Sequence, residues 1–254
     1  MDFAATDRPL SAEEGGNGAN GVTTLPYTAG MVVVPYNLPG ASAPLQIGRD
    51  TLSGIFSGAI QRWDDPKIRA DNPGVVRPDR TISLIVRREG SGTTYACTSY
   101  LSAISPEWNK TGTGVGDRVN WPDDAMMTFG NEGVAGRIAI TEYSIGYVEY
   151  GFASRLALKT AVLQNRDGAF VAATDQSGAS ALAGAGDGAM PQYGSAAIDP
   201  VGPGAYPIVT FSWMLLRDHY RSADVTAAVH ALVDFGLSPD GQSQGVSLGY
   251  HRTT

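Results

Sequence analysis

The chain has 254 residues, enough for one large domain or two smaller ones, each with its own core. Its net charge of −7 excludes a nucleic-acid partner, which needs a basic surface to release counterions. The one cysteine, Cys97, excludes an intrachain disulfide framework and a cysteine-rich metal site, and no apolar run reaches the roughly 18 residues of a membrane span.

Only 17% of the residues are charged, whereas 32 are glycine, against an average glycine usage of about 7%. That balance points to tight turns and close backbone approaches. The acidity leaves an anionic ligand open, because a buried anion responds to local donors far more than to distant surface charge. The opening MDFAATDRPL has neither the basic n-region nor the apolar h-region of a secretory signal.

In chain order, residues 2–6 are short and apolar, as a strand end would be, and Asp7 follows in a loop. PLSAEEGG enters a weak helix that Ser11 can cap, with Glu13 and Glu14 in its first turn, and residues 17–21 are turn-rich. Residues 29–36 (AGMVVVPY) are β-branched and bounded by glycine and proline, which predicts a buried strand; residues 37–44 form a loop. From residue 51 the pattern becomes helical, with Asp50 or Thr51 as cap and Leu52, Ile55, Phe56 and Ile60 on one face. Asp65-Pro66 opens a second short helix that ends near residues 72–74.

Residues 82–86 (ISLIV) read as a strand running into RREGSGTT and then into a helix that ends at Ser105-Pro106. Cys97 lies inside that helix and reads as a buried structural thiol. Residues 112–116 predict a flexible turn and Trp121-Pro122 a rigid one. A helix over 131–139, an alternating strand over 144–150 (SIGYVEY) and a helix over 151–156 come next. Residues 162–171 suggest a strand pair around Asp167-Gly168, and residues 172–195 are rich in small residues with helix potential. Residues 206–216 (YPIVTFSWMLL) form a strong strand. Residues 222–236 form an amphipathic helix with Val225, Val229, Leu232, Val233 and Phe235 on its apolar side. Strands alternating with helices through short connections indicate an α/β protein.

The chemistry concentrates in strand–RREGSGTT–helix. A glycine-rich turn at a helix start leaves backbone N–H groups unpaired and aimed at one point, where the helix dipole also favours negative charge. Ser91, Thr93 and Thr94 add hydroxyls, Arg87 or Arg88 adds a planar fork suited to two oxygens, and Glu89 can orient an arginine. An ordinary helix cap needs one hydroxyl; two arginines, a Gly-Ser-Gly and two threonines exceed that need and point to an anion. The segment is not a Walker loop, and Ser91 is one residue out of register for a G-x-S-x-G nucleophile elbow. His219, His230 and His251 offer no metal pair on one helix face and read as surface or packing residues. The carboxylates are scattered along the chain, and no nucleophile or metal cluster accompanies Arg87, so an enzyme is not expected.

Successive blocks of the chain resemble phosphate-binding solute receptors of the PstS type, which feed phosphate ABC transporters. They are DFAATDRPLSAEE, LPYTAGMVVVPYNLPG, TLSGIFSGAIQRWDDPKI, VRREGSGTTYACTSYLSAISPEWN, GTGVGDRVNWP, GNEGVAGRIAITEYSIGYVEYGFA and YPIVTFSWML, in the family's order over nearly the full chain. The resemblance implies a two-lobed, type II periplasmic-binding-protein-like α/β fold, each lobe a mixed sheet flanked by helices. It places residues 1–34 and 206–254 in the first lobe and residues 35–205 in the second. It carries over Arg87, Ser91, Gly92 and Thr93 as phosphate contacts, with Glu89 bracing the arginine and Thr94 in support. Asp7, by itself an ordinary loop or cap residue, matches the aspartate that accepts a hydrogen bond from a proton on phosphate. Sulfate carries no such proton near neutral pH, and a site that demands a donor can discriminate by roughly 10⁴–10⁵-fold.

The same resemblance implies inorganic phosphate and ABC permease subunits as partners, a monomer outside the cytoplasm in the periplasm or at the extracytoplasmic surface, no direct membrane insertion, and neither cofactor nor metal. The family pattern also includes N-terminal T-G-A-G-A-T-F-like and S-x-G-S-like turns that supply donors from the first lobe. They precede the block at which this chain begins, so an incomplete first lobe is expected. Smaller departures are Thr128-Phe129-Gly130-Asn131 in place of a K-G-N approach, and Glu142-Tyr143 in place of P-G. A non-transporting phosphate sensor or surface-binding relative is the alternative function, with a phosphoryl-handling enzyme behind it.

Overall fold

The computed structural model describes residues 2–8, 10, 21–41, 43–75, 78–110, 113–184 and 196–252. In chain order the first elements are β1 (Phe3–Thr6), β2 (Val22–Val33), β3 (Pro35–Asn37), β4 (Gln46–Ile47), α1 (Arg49–Phe56) and α2 (Pro66–Asp71). Next come β5 (Ser83–Arg87), α3 (Gly92–Ile104), α4 (Pro106–Lys110), β6 (Met126–Thr128), α5 (Gly130–Ile140), β7 (Ser144–Gly146), β8 (Val148–Glu149) and α6 (Tyr150–Arg155). The chain continues through β9 (Lys159–Thr160), β10 (Val162–Gln164), β11 (Phe170–Val171), α7 (Asp175–Gly184) and β12 (Ala196–Ile198). It ends with β13 (Ile208–Arg217), α8 (Ala223–Leu237), α9 (Pro239–Ser247) and β14 (Tyr250–His251).

The two long strands, β2 and β13, pair antiparallel and carry the first sheet, ordered β1-β13-β2-β14. β12 also pairs with β13, and β8 pairs with β2. The ladder between β2 and β13 shifts register at Ser212/Trp213, opposite Pro26 and Tyr27. Proline cannot donate to a ladder, so a bulge at this point is the expected accommodation, and it re-aims the side chains beside it. The second sheet, β6-β5-β7-β3-β9, has β5 at the centre of three parallel strands. The third, β11-β10-β4, contains the strand pair predicted around Asp167-Gly168.

Two neighbouring stretches pass between the first and second sheets. One is the break at Val34 between β2 and β3; the other is Tyr147, between β7 and β8. The strands predicted over 29–36 and 144–150 are therefore each divided, because their two ends hydrogen-bond into different sheets. Tyr147 is fully buried at its crossing, in tilted contact with Phe56 and Trp121, and Trp121 in turn meets Trp108. Cys97 is buried, as its apolar surroundings predict, and burial pushes its thiol pKa up.

α1 begins earlier than its sequence pattern suggests. Its N-cap is Gly48, without a side-chain cap, and the carboxylate of Asp71 at the end of α2 accepts the Gly48 N–H at 2.7 Å. Asp50 stays in the first turn, where its charge favours the helix dipole. α2 is capped by Asp65, where the Asp65-Pro66 pattern opens it, and α8 is capped by Ser222. Along α8, Val229 is buried but Phe235 remains 48% exposed, so the apolar stripe is only partly covered. The short elements β6, β12 and α9 have no counterpart in the sequence reading. The expected helix at Ser11, Glu13 and Glu14, and the stretch 185–195, lie outside the described residues.

Candidate functional site

Parallel pairing explains how the site is collected. β5, β6 and β7 end at one edge of the second sheet, where Arg87, Thr128 and Gly146 are their last residues. α3 and α5 begin directly beyond β5 and β6, so two helix N-termini lie at that edge. Ligands of open α/β sheets bind outside the carboxyl ends of parallel strands.

Arg87 is turned into this cluster. Its Nε donates to Glu89 Oε1 at 2.7 Å, its Nη1 donates to Asn131 Oδ1 at 3.2 Å, and its Nη2 contacts Glu89 Oε1. A guanidinium has five N–H groups; these contacts leave one on each terminal nitrogen, in a fork suited to two oxygens. Arg88 is exposed and stacks over the ring of Phe129 at 5.4 Å. The choice between the two arginines is therefore made by strand alternation, which sends successive side chains to opposite faces. Burial works against the Glu89 carboxylate, but hydrogen bonds from Arg87, its own backbone and the Gly130 N–H at 3.0 Å outweigh it and hold its pKa below the ordinary value.

Ser91 is the N-cap of α3, its Oγ accepting the Thr94 N–H at 3.3 Å, while its own N–H donates to Asp117 O at 2.9 Å. The N–H groups of Gly92 and Thr93 open the helix and have no intrahelical acceptor. Thr94 points inward instead: its Oγ1 shares a 2.6 Å hydrogen bond with Tyr147 OH, which also accepts the Arg87 N–H at 3.3 Å. Thr94 and Tyr147 thus brace the turn from below.

Asp7 arrives from the other sheet. The β1–β13 register pairs Thr6 with Trp213, so the next residue lies beside Ser212 at the bulge. Ser212 Oγ donates to Asp7 Oδ1 at 2.5 Å, and Thr210 Oγ1 donates to the Asp7 carbonyl at 3.1 Å. Among the described residues, Asp7 Oδ2 receives no hydrogen bond from the protein. Burial raises the Asp7 pKa above the ordinary value, against the opposing pull of the Ser212 hydroxyl and the Arg87 charge. Asp7 also abuts the nest directly. A Cβ on Gly92 would lie 2.4 Å from Asp7 Cβ and 3.0 Å from its Cα, so only glycine admits this approach.

All seven residues singled out in the sequence, Asp7, Arg87, Glu89, Ser91, Gly92, Thr93 and Thr94, therefore meet at one place. Five more were missed: Asn131, Tyr147, Glu149, Ser212 and Tyr250. Asn131 Oδ1 bridges Arg87 to the Glu149 N–H at 3.4 Å; its place at the start of α5 and its membership of the 128–131 counterpart of the K-G-N approach were the available signals. Glu149 is buried, and desolvation first, with the Asp7 charge adding to it, pushes its pKa up to about 7. Asp7 and Glu149, far apart in sequence, are here near enough for the Asp7 charge to act on Glu149. Among the described residues no group of three or more His, Cys, Asp or Glu side chains could hold a metal, and His251 packs against Gly178.

A fork, a helix N-terminus and hydroxyls on one side, facing a carboxylate on the other, suit a small oxyanion that also carries a proton. A PBP superfamily domain matches residues 1–240. The chain is 36% identical over 251 residues to the phosphate-binding protein PstS of Pasteurella multocida, covering 98% of this chain and 72% of that protein. It is 34% identical to the PstS of Haemophilus influenzae, covering 98% and 74% respectively. Among solved structures, the periplasmic phosphate-binding protein PfluDING, bound with phosphate, has a TM-score of 0.77 at 21% identity, covering 99% of this chain and 75% of that one. The phosphate-binding protein of Stenotrophomonas maltophilia has a TM-score of 0.74 at 18% identity, covering 100% and 76%. These structural likenesses speak for the fold; the sequence matches decide the family, and this chain belongs to the PstS family of phosphate-binding proteins within the PBP superfamily.

Proposed function

We propose that the chain binds inorganic phosphate between Asp7 and the 87–94 turn and delivers it to an ABC-type phosphate importer. The observation that carries this reading is the contact of Asp7 with Gly92, which sets a carboxylate acceptor against a nest of donors. Arg87, Ser91, Gly92 and Thr93 supply donors to the phosphate oxygens, and Asp7 Oδ2 accepts a hydrogen bond from the O–H that phosphate retains near neutrality. Glu89 and Thr94 hold the donors in place. Residues 1–34 and 206–254 are assigned to the first lobe, around β2 and β13, with β8, β12 and α7 seated on it; residues 35–205 otherwise form the second. The paired crossings at Val34 and Tyr147 are the natural hinge between them. No helix among the described residues is long and apolar enough to cross a membrane; permease subunits are the implied partners, met at the extracytoplasmic face, and the named relatives are binding proteins rather than enzymes.

Calorimetric titration with phosphate and with sulfate tests the reading. Saturable phosphate binding with little response to sulfate is expected; the absence of phosphate binding at millimolar concentration sinks it. Asp7→Asn is the companion measurement. It removes one charge-assisted acceptor, about 1.5–3 kcal/mol, so phosphate affinity should fall by about 10–100-fold. Sulfate affinity should hold or rise, since the like charge facing it is gone. An equal loss for both anions would show that Asp7 merely supports the fold.

A further inference from the structure

Glu149 has a set of contacts that a purely structural carboxyl does not explain. It caps α6, its Oε1 accepting the Gly151 N–H at 3.2 Å. Its other oxygen, Oε2, is buried without a well-formed hydrogen bond, the Tyr250 hydroxyl being the nearby donor that favours its ionised form. The residue is only 8% exposed, and its neighbours come from every element around it. From the end of β1 comes the Asp7 carboxylate; from β14, the Tyr250 phenol; from α6 itself, Arg155. β2 contributes Gly30, where a Cβ would lie in ordinary van der Waals contact with Glu149 Oε1, at 3.4 Å. At the second sheet, Asn131 links the Glu149 N–H to the Arg87 guanidinium.

An ionised carboxylate here would be poorly hydrogen-bonded at its buried oxygen and would feel the Asp7 charge; the Gly151 N–H and the Tyr250 hydroxyl favour the charged form, but burial outweighs them. A buried charge is stable only when paired and hydrogen-bonded, and two carboxylates sharing a site cannot both ionise easily. The Arg155 charge opposes this only in part, being a smaller influence than burial or Asp7 and already stacked over Phe152 at 4.2 Å. The neutral acid, by contrast, keeps the cap to Gly151 and adds no charge.

We propose that Glu149 is a second acid of the anion site, neutral when the anion is bound, whose ionisation opposes binding. This rests on the phosphate reading above and deepens it: Asp7 selects an oxyanion that carries a proton, and Glu149 ties occupancy to the proton concentration. The sign follows from the raised pKa. Below about 7 the side chain is neutral and binding is unopposed; above it the side chain ionises and repels the anion. By linkage, binding must draw a proton back onto Glu149.

Glu149→Gln tests this, because glutamine keeps an acceptor for Gly151 and carries no charge. The quantity to measure is the ratio of wild-type to variant dissociation constants for phosphate, well below and well above neutrality; phosphate's own ionisation cancels in that ratio. It should lie near one in acid and climb on the order of tenfold in base, the size of a one-unit coupling. Calorimetry in two buffers of different ionisation enthalpy should show greater proton uptake by the wild type near neutrality. A ratio that stays constant with pH overturns the proposal, as does a folded variant that has lost phosphate binding at all pH values. If the wild type itself binds no phosphate, the phosphate reading falls and this proposal falls with it. Tyr250→Phe, which removes the phenol hydroxyl beside the carboxyl, should move the midpoint of the pH response without abolishing binding; an unmoved midpoint would place Tyr250 and Glu149 apart in function and overturn the assignment of the cluster.

Discussion

Arg87→Ala is expected to weaken phosphate binding by about two to four orders of magnitude in a calorimetric titration. The figure follows from two charge-assisted hydrogen bonds at about 1.5–3 kcal/mol each, one from each terminal nitrogen left open by Glu89 and Asn131. Unlike Asp7→Asn, the loss should extend to every oxyanion, since the fork reads oxygens and not protons. Arg87→Lys should recover only part of it, because an ammonium keeps the charge but cannot offer the planar pair. The variant also removes the partner of Glu89, whose Oε2 is already buried without a hydrogen bond. Glu89 has a depressed pKa in the folded chain, so its stabilisation is present above the ordinary carboxylate value and is lost as pH falls through the lowered one. In Arg87→Ala that acid-side loss should shrink, read as a flatter dependence of the unfolding temperature on pH. A variant that binds phosphate within threefold of the wild type would remove Arg87 from the site.

Gly92→Ala should damage stability and binding together. Alanine is the better helix former by about 1 kcal/mol, so propensity alone predicts a gain at the first position of α3. The added methyl would lie 2.4 Å from Asp7 Cβ, 3.0 Å from Asp7 Cα and 3.1 Å from its carbonyl carbon. No rotamer change relieves a clash with backbone, and overpacking of this kind costs about 1–3 kcal/mol. The clash therefore wins, and it does so by pushing Asp7 away from the donor nest, so affinity should fall on the order of tenfold or more. Gly136 provides the control. It lies inside α5, and a Cβ there meets nothing within 4 Å. Gly136→Ala should stabilise the chain by about 0.5–1 kcal/mol and leave binding unchanged. Equal unfolding temperatures for the Gly92→Ala variant and the wild type would mean that the close approach to Asp7 is not held in solution.

The parts of the molecule that could be read from sequence are those whose causes are local. β5 running through a glycine turn into α3 is one continuous stretch, and the Ser91 cap, the paired arginines and the threonines all lie within eight residues of one another. The Asp65 and Ser222 caps and the long strand β13 are local in the same sense: hydrogen bonds to near neighbours or unbroken apolar runs. Short strands such as β6 and β12 have three residues each, too few for a period to show, and exist because a partner strand is already there. The crossing at Tyr147 reads as one alternating strand until the two sheets claim its two ends.

The sequence by itself determined the donor half of the proposed site, because backbone geometry and side-chain type within one turn are enough to make an anion nest. Only the tertiary structure decided what faces that nest. Ser212 reaches Asp7 across 205 residues, through the register of β1 on β13 and a bulge opposite Pro26. Asn131 reaches Arg87 because β5 and β6 run parallel and end together. Glu149 comes near Asp7 because a strand changes sheets two residues earlier. Sheet register and strand order are collective properties of the packed core, and no single stretch of the chain contains them.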